Sequence, residues 1–475
     1  MSSTPQAGDP ATAGPSSRGP GRSDRRPDLD SLYCINADGS RNKIHTADVR
    51  GRYQRRKWVL WAILIAIYLV VPWILIGGKP AFLIDIPRRH FYLLGNTFNA
   101  QDFWLAFFVV TGIGFSLIVV SAMWGRVWCG YGCPQTVFLE GVYRRVERFF
   151  EGNAAKRKKL DAAGVTPEKV LRRTGKYATY LALSVVLSHT FLGYFMPVRE
   201  VVKAMAGSPS EHPSAFLFVL VFTAIIFFNF AWFREQLCIV ICPYGRLQSV
   251  LYDQDTVNVG YDKNRGEPRG KHNVEGRGDC IDCHRCVAVC PTGIDIRNGT
   301  QLECVGCANC IDACDEVMDK LGQPRGLVRY DSLRGFEQGQ RRFWRPRVLL
   351  YAVLLLIGIA VFAVAITKRT AFEANVVRVQ GSAYTLDGET VTNAFVIHLV
   401  NKLPATTTFS VEAIASAGVE WTIPLPSVTL ESLADQRLPV LAKFQRGRLK
   451  SGTIVQLVVT SEDERRTVDV KLLGP

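Results

Sequence analysis

Apolar residues along this chain gather into five runs, Trp58–Ile76, Phe103–Trp124, Tyr177–Phe195, Ala215–Phe233 and Val348–Ile366, none of which contains Asp, Glu, Lys or Arg. Each is near the ~20 residues a bilayer-spanning helix needs, so the pattern predicts five transmembrane helices rather than buried core helices. Beyond the fifth run the period changes. Residues 371–475 alternate apolar and polar positions in short stretches such as VVRVQG, VTNAFVIHLV, TTFSVEAI and GTIVQLVVT, with turn residues such as Asp387-Gly388 between them. About seven short strands over ~100 residues predict an all-β, immunoglobulin-like sandwich, here without the inter-sheet cysteines of antibody domains. At the other end, residues 1–30 are rich in Pro, Gly, Ser, Ala and Arg and have no apolar core. They are expected to form a disordered tail and not a signal peptide.

The expected organisation is a multidomain membrane protein. An N-terminal segment, 1–57, leads into helices one to four over 58–233, with a loop at 125–176. An insert at 234–347 precedes helix five, 348–366, and the sandwich follows at 371–475.

Charge orients this arrangement. The formal net charge is +15. Eleven Lys/Arg precede the first helix, and successive connecting segments carry three (77–102), twelve (125–176), two (196–214) and seventeen (234–347). By the positive-inside rule this alternation predicts a cytoplasmic N-terminus, cytoplasmic segments 125–176 and 234–347, and an external sandwich. Topology and anionic lipid then account for the basic excess, and no stacking or recognition motif points to nucleic acid.

All thirteen cysteines precede the fifth helix. On a reducing side of the membrane, this bunching indicates metal binding and not a disulfide framework. Residues 280–314 read CIDCHRCVAVCPTGIDIRNGTQLECVGCANCIDAC. Both Cys280, Cys283, Cys286, Cys290 and Cys304, Cys307, Cys310, Cys314 follow C-x2-C-x2-C-x3-C, the two-cluster ferredoxin run. Three thiolates of one loop cap an iron–sulfur cube, and the fourth comes from the other set. The expected ligands are Cys280, Cys283, Cys286 and Cys314 for one [4Fe–4S] cluster, and Cys304, Cys307, Cys310 and Cys290 for the other. The insert is therefore a two-cluster, ferredoxin-like α+β unit; paired zinc sites, which also use C-x2-C spacing, are the weaker reading. Asp315 stands where the second set would carry proline, so the turn leaving it is expected to differ. Lys271, Arg277, Arg285 and Arg297 are placed to offset cluster charge or simply to face lipid headgroups.

Two further pairs, Cys129/Cys133 in WCGYGCPQ and Cys238/Cys242 in LCIVICPYG, read C-x-x-x-C-P and follow helices two and four. If helix continues past each apolar run, sulfurs four positions apart share a face, and Pro134 and Pro243 end the segment. Four thiolates at one boundary suit Cu(I), zinc or iron–sulfur. With eight cysteines already assigned to clusters, copper is preferred. Buried structural cysteines, or strained disulfides, are the alternatives.

The segments GRVWCGYGCPQTVF, REQLCIVICPYGRLQSVLYDQDT, the ferredoxin run and GLVRYDS together resemble the CcoG (FixG/RdxA) family of cytochrome c oxidase accessory proteins, from about Ser31 to the C-terminus. The resemblance implies a bacterial inner-membrane cupric reductase, forming Cu(I) for the copper centre of cbb3-type oxidases. It places copper at Cys129, Cys133, Cys238 and Cys242, two [4Fe–4S] clusters on the eight ferredoxin cysteines, and the sandwich in the periplasm. The expected partners are copper ions, a copper chaperone or oxidase assembly factor, an unidentified cytoplasmic electron donor and membrane lipid; a homodimer is allowed for. The rivals are a quinol-dehydrogenase-type electron-transfer subunit and a non-catalytic copper carrier. Among the histidines, His284 is expected at the surface of the first cluster loop, and His189 inside the third helix. Cys34 has no assigned role. No dinucleotide fingerprint or phosphate loop supports a flavin or nicotinamide.

Overall fold

The structure is a computed structural model that describes residues 43–98, 102–271, 275–367, 370–403, 405–414, 418–462 and 464–475. The N-terminal tail and Cys34 lie outside the described residues. Among those described, four helices are long and apolar enough to cross a membrane: Arg52–Trp73, Trp104–Trp124, Pro213–Phe233 and Pro346–Thr367. The third of the five apolar runs lies in a long helix, Pro167–Leu192, that does not reach this level. Its first half carries Lys169, Arg172, Arg173 and Lys176, and its apolar stretch begins only at Tyr177. This measure alone does not confirm the expected fifth crossing, Tyr177–Phe195. In that helix His189 Nδ1 lies 2.7 Å from the Val185 carbonyl, one turn back, so the histidine is satisfied locally.

Helix one starts earlier than its apolar run, at Arg52, because the ferredoxin insert caps it. Asp312 accepts from the backbone N–H of Tyr53 at 3.2 Å and of Gln54 at 2.8 Å, placing a carboxylate on the positive end of the helix. The helices Phe103–Trp124 and Pro346–Thr367 lie side by side, clamped where the insert joins them. The Ala122 carbonyl accepts from Thr256 Oγ1 at 3.0 Å and from Arg345 Nη2 at 2.8 Å, and the Met123 carbonyl accepts from Val257 N at 3.0 Å.

The insert is small and mixed. Strands Asn258–Tyr261 and Val328–Asp331 pair antiparallel, and the helices Arg285–Ala288 and Asn309–Lys320 pack beside them. Its core is Val259, Tyr261, Ile296, Ile311, Met318 and Leu327 together with Cys280 and Cys286. Asp315 alters the exit from the second cysteine set. Without proline the helix Asn309–Lys320 runs on past Cys314, and the buried Asp315 accepts from Gly326 N at 3.1 Å.

Among the described residues beyond the last membrane helix, nine strands build two antiparallel sheets, where about seven were expected. One sheet is built around Thr390–Asn401, which pairs with Phe372–Arg378, Asp435–Gln445 and the short Thr385–Asp387; Val419–Thr422 completes it. The other runs Ser427–Leu430, Thr407–Ala413, Ile454–Thr460, Arg465–Lys471. Val391, Phe395, Ile397 and Leu399 point inward at alternate positions and meet Phe372, Phe409, Val440 and Leu457 in one core. Lys402 ties this sandwich to the start of the second membrane helix by an ion pair of 3.1 Å to Asp102, and it also meets Glu373 at 2.9 Å.

Candidate functional site

The cysteines of the insert line two neighbouring cavities. One is walled by Cys280, Cys283, Cys286 and Cys314, with Tyr261, Arg297 and Met318. The other is walled by Cys290, Cys304, Cys307 and Cys310, with Pro291, Val305 and Cys286. The fourth cysteine of each run therefore crosses to the other run's cavity, because the helices Arg285–Ala288 and Asn309–Lys320 lie against each other. Each loop bends by the same device. Two residues with left-handed φ stand at matching places, Asp282 (55°) and His284 (54°) in the first and Gly306 (64°) and Ala308 (60°) in the second.

A set of four thiols around each apolar cavity is the donor set a [4Fe–4S] cluster requires, so the residues fit the group. Among the described residues, no three Cys, His, Asp or Glu side chains are already gathered as a metal-holding group. Burial raises the thiols of Cys286, Cys304 and Cys314 to about 12, and that of Cys290 to about 11. Binding must then displace protons, which couples metal loading to pH.

Of Lys271, Arg277, Arg285 and Arg297, Arg297 is the buried one, and it lines the first cavity. It binds Asp295 at 2.6 Å and also Asp282, and its charge acts on Cys286. His284 is surface-exposed, as expected, with Nδ1 2.8 Å from Arg297 Nη2. Cys283 is the exposed cysteine of the first set.

The two membrane-boundary pairs share one backbone design, which differs from a continued helix. After helix two the chain reverses at Gly125 (φ 54°, ψ −127°), and after helix four it reverses at Arg234 (φ 52°, ψ −120°). A single helical turn follows, Val127–Tyr131 or Leu237–Ile241. Cys133 and Cys242 then adopt extended backbone (ψ 126° and 112°) and precede new helices, Pro134–Phe138 and Pro243–Leu251. Proline opens the next helix here instead of ending the last, since its missing N–H is no loss at a first helical position.

These turns bring the two pairs near enough for their thiols to act on one another's ionisation. The charges of Cys133 and Cys242 act on Cys129, and those of Cys133, Cys129 and Cys242 act on Cys238. Burial is the larger cause, and with these neighbours it raises Cys129 and Cys238 to about 12. Arg126 Nη2 donates to the Gly245 carbonyl at 2.6 Å, joining one pair's segment to the other's.

The same turns touch the second cluster loop. A Cβ on Gly130 would stand 2.8 Å from the Gly306 carbonyl oxygen and 2.9 Å from the Cys307 Cα. A small cavity between Cys238 and Cys307 is lined by Gln135, Glu235, Pro291 and Asn309. Lys57 of helix one is buried here, donating to the Cys307 carbonyl at 2.7 Å and to Asn309.

Comparison with known proteins agrees with this layout. A "4Fe-4S dicluster domain" model matches residues 233–333, and a "4Fe-4S binding domain" model matches 103–153. An "IG-like fold at C-terminal of FixG, putative oxidoreductase" model matches 362–475. Protein RdxA of Cereibacter sphaeroides is 36% identical over 85% of this chain and 87% of its own length. The nitrogen fixation protein FixG of Rhizobium meliloti is 33% identical over 78% and 79%, and RdxB of C. sphaeroides is 34% identical over 78% and 81%. The chain belongs to the FixG/RdxA family. It is a membrane iron–sulfur electron-transfer protein with an immunoglobulin-like C-terminal domain.

Within this FixG/RdxA-family chain, several residues that the cysteine pattern did not single out support the site. Tyr330 donates to the Gly306 carbonyl at 2.6 Å, fixing the cluster loop that faces Gly130. A buried ionic network holds the loop after helix two against the second thiol pair: Glu147 pairs with Arg157 and Arg234 at 3.2 Å each, and Arg144 with Glu140 at 2.7 Å and Glu235 at 3.3 Å. The only sequence signal was that Arg234 and Glu235 directly precede the second pair.

Proposed function

We propose that this protein is a membrane cupric reductase. Cu(II) is the substrate, held by Cys129, Cys133, Cys238 and Cys242, and it leaves as Cu(I) after a one-electron step. The observation that carries the reading is the backbone contact of Gly130 with Gly306 and Cys307, which sets the first thiol pair directly against a cluster loop. Soft thiolates favour Cu(I) over Cu(II), so the ligand set biases the site toward product. Held by Cys280, Cys283, Cys286 and Cys314, and by Cys290, Cys304, Cys307 and Cys310, two [4Fe–4S] clusters would supply one-electron storage and transfer.

Around them the chain's own residues shape the route. Arg297 offsets charge at the first set, where the exposed Cys283 marks the edge open to a soluble one-electron donor. Lys57, Asn309 and Tyr330 hold the second set against the membrane helices. The Lys/Arg distribution supports an inner-membrane protein whose ferredoxin insert faces the cytoplasm and whose sandwich faces the periplasm. The Cu(I) product serves assembly of the copper centre of a cbb3-type oxidase, reached through a chaperone or assembly factor.

The test is anaerobic. Purified protein with its iron loaded is reduced by dithionite, freed of excess reductant and given Cu(II). The proposal expects up to two Cu(I) per chain, one for each cluster re-oxidised. Cluster re-oxidation without Cu(I), or no reaction, contradicts it.

A second reading, an electron-transfer subunit whose boundary pairs hold iron–sulfur, is favoured by one observation. The "4Fe-4S binding domain" match at 103–153 covers the first pair. That stretch has only two cysteines, so a cluster there would need Cys238 and Cys242 as well. It expects about twelve iron per chain where the copper reading expects about eight.

A further inference from the structure

Gln248 is fully buried, at 0% exposure, on the helix Pro243–Leu251 that begins beside Cys242. Its Oε1 accepts from the Cys129 sulfur at 3.9 Å, and its Nε2 has no hydrogen-bond partner. A buried amide N–H without an acceptor destabilises the fold, and an apolar residue of similar size would avoid that cost. The repeat between the two boundary segments makes the carboxamide more conspicuous. Equivalent cysteines are 109 positions apart, and the position equivalent to Gln248 is the buried, apolar Leu139. The second segment sends a polar group to a thiol of the first, and at the equivalent position the first carries an apolar side chain.

We propose that Gln248 is a positioning residue of the four-thiol site, and that its carboxamide N–H donates to the Cys129 sulfur once that sulfur is a metal-bound thiolate. The inference rests on the reading of this site as the copper site. While Cys129 is a thiol it is the donor, and the carboxamide shows it an oxygen. Metal binding releases the thiol proton to solvent and leaves a sulfur that can only accept. A half-turn of the carboxamide then exchanges oxygen for nitrogen, two atoms of nearly equal size, and the unpartnered N–H gains its acceptor. A hydrogen bond to a coordinating thiolate withdraws charge from the sulfur and favours the more electron-rich, reduced metal. Gln248 thereby biases bound copper toward Cu(I), and it makes Cys129 unlike the other three thiols.

The experiment is a redox titration of bound copper in the full, iron-loaded chain, followed by the EPR signal of Cu(II). Gln248→Leu removes the donor. The ratio of Cu(I) to Cu(II) affinity should fall about tenfold, which is a midpoint lower by about 59 mV for one electron. Gln248→Ile likewise carries no N–H, and it should shift the midpoint the same way. Iron content equal to wild type separates this effect from a folding defect; if Gln248→Leu fails to assemble, Gln248→Ile decides. A wild-type midpoint in the assembled variants overturns the inference alone. Wild-type chain that binds no copper overturns the copper reading and this inference together.

Discussion

Gly130 and Gly306 meet backbone to backbone: a Cβ on either would come within 3.0 Å of main-chain atoms of the other's segment. The contact joins the turn that carries Cys129 to the loop that carries Cys307, and it leaves no room for a side chain. Gly130→Val should push the two segments apart while retaining every cysteine side chain. Copper reduction should then slow by at least about tenfold, as small misplacements do at reacting centres, with iron content and copper binding retained. Single-turnover kinetics check this; an unchanged rate means the contact is not the route.

The two cysteine sets differ in exposure, and their variants should differ accordingly. Cys283 is exposed at the rim of its cavity, whereas Cys310 is half-buried, with Cys307, Cys304, Cys290 and Cys286 as neighbours. Cys283→Ser should lose one cubane signal and about half of the roughly eight iron, while Cys310→Ser should lose most of both. Iron and acid-labile sulfide assays with EPR report the difference.

Much of this architecture is legible in the chain because its signals are local. The ferredoxin spacing places eight cysteines, and the cavities divide them as that spacing implies. The alternation of Thr390–Asn401 is visible residue by residue. What could not be read depends on partners distant in sequence. Asp312 caps Tyr53 and Gln54, and Glu147 meets Arg234, across separations that no periodicity encodes. Local conformation misled at the boundary pairs as well. Arg234 takes a left-handed turn usually reserved for glycine, so the membrane helix stops before Cys238, and Cys242 leaves the following single turn in extended backbone.

Glu147 is 1% exposed, with Arg157 and Arg234 as its partners. Burial alone would raise its carboxyl, but Arg234 and Arg157 outweigh that and bring it to about 2. Its folded value is therefore below the unfolded value of ~4.3, and its contribution is complete above that pH and lost as pH falls toward 2. Glu147→Gln should remove the contribution at neutral pH and leave two buried cations uncompensated, at a cost of about 3–5 kcal/mol. Thermal unfolding in detergent between pH 7 and pH 3 should show the wild-type advantage over Glu147→Gln shrinking with acidity.

Membrane orientation has its own check. Lys/Arg-rich and Lys/Arg-poor connections alternate along the chain. Alkaline-phosphatase fusions after Gly335 should be inactive, and fusions after Lys402 active. The reverse pattern rejects the cytoplasmic placement of the ferredoxin insert.

The most direct test removes one boundary pair at a time. Cys129→Ala with Cys133→Ala, or Cys238→Ala with Cys242→Ala, deletes half of the four-thiol site without touching a cysteine of either cluster cavity. Cu(I) formation by the dithionite-reduced chain is measured with a Cu(I)-specific chelator, and iron is measured in the same sample. The account predicts loss of Cu(I) formation to the background rate with iron unchanged at about eight per chain. Double variants that bind copper and reduce it at the wild-type rate would show the pairs to be structural and would contradict the account.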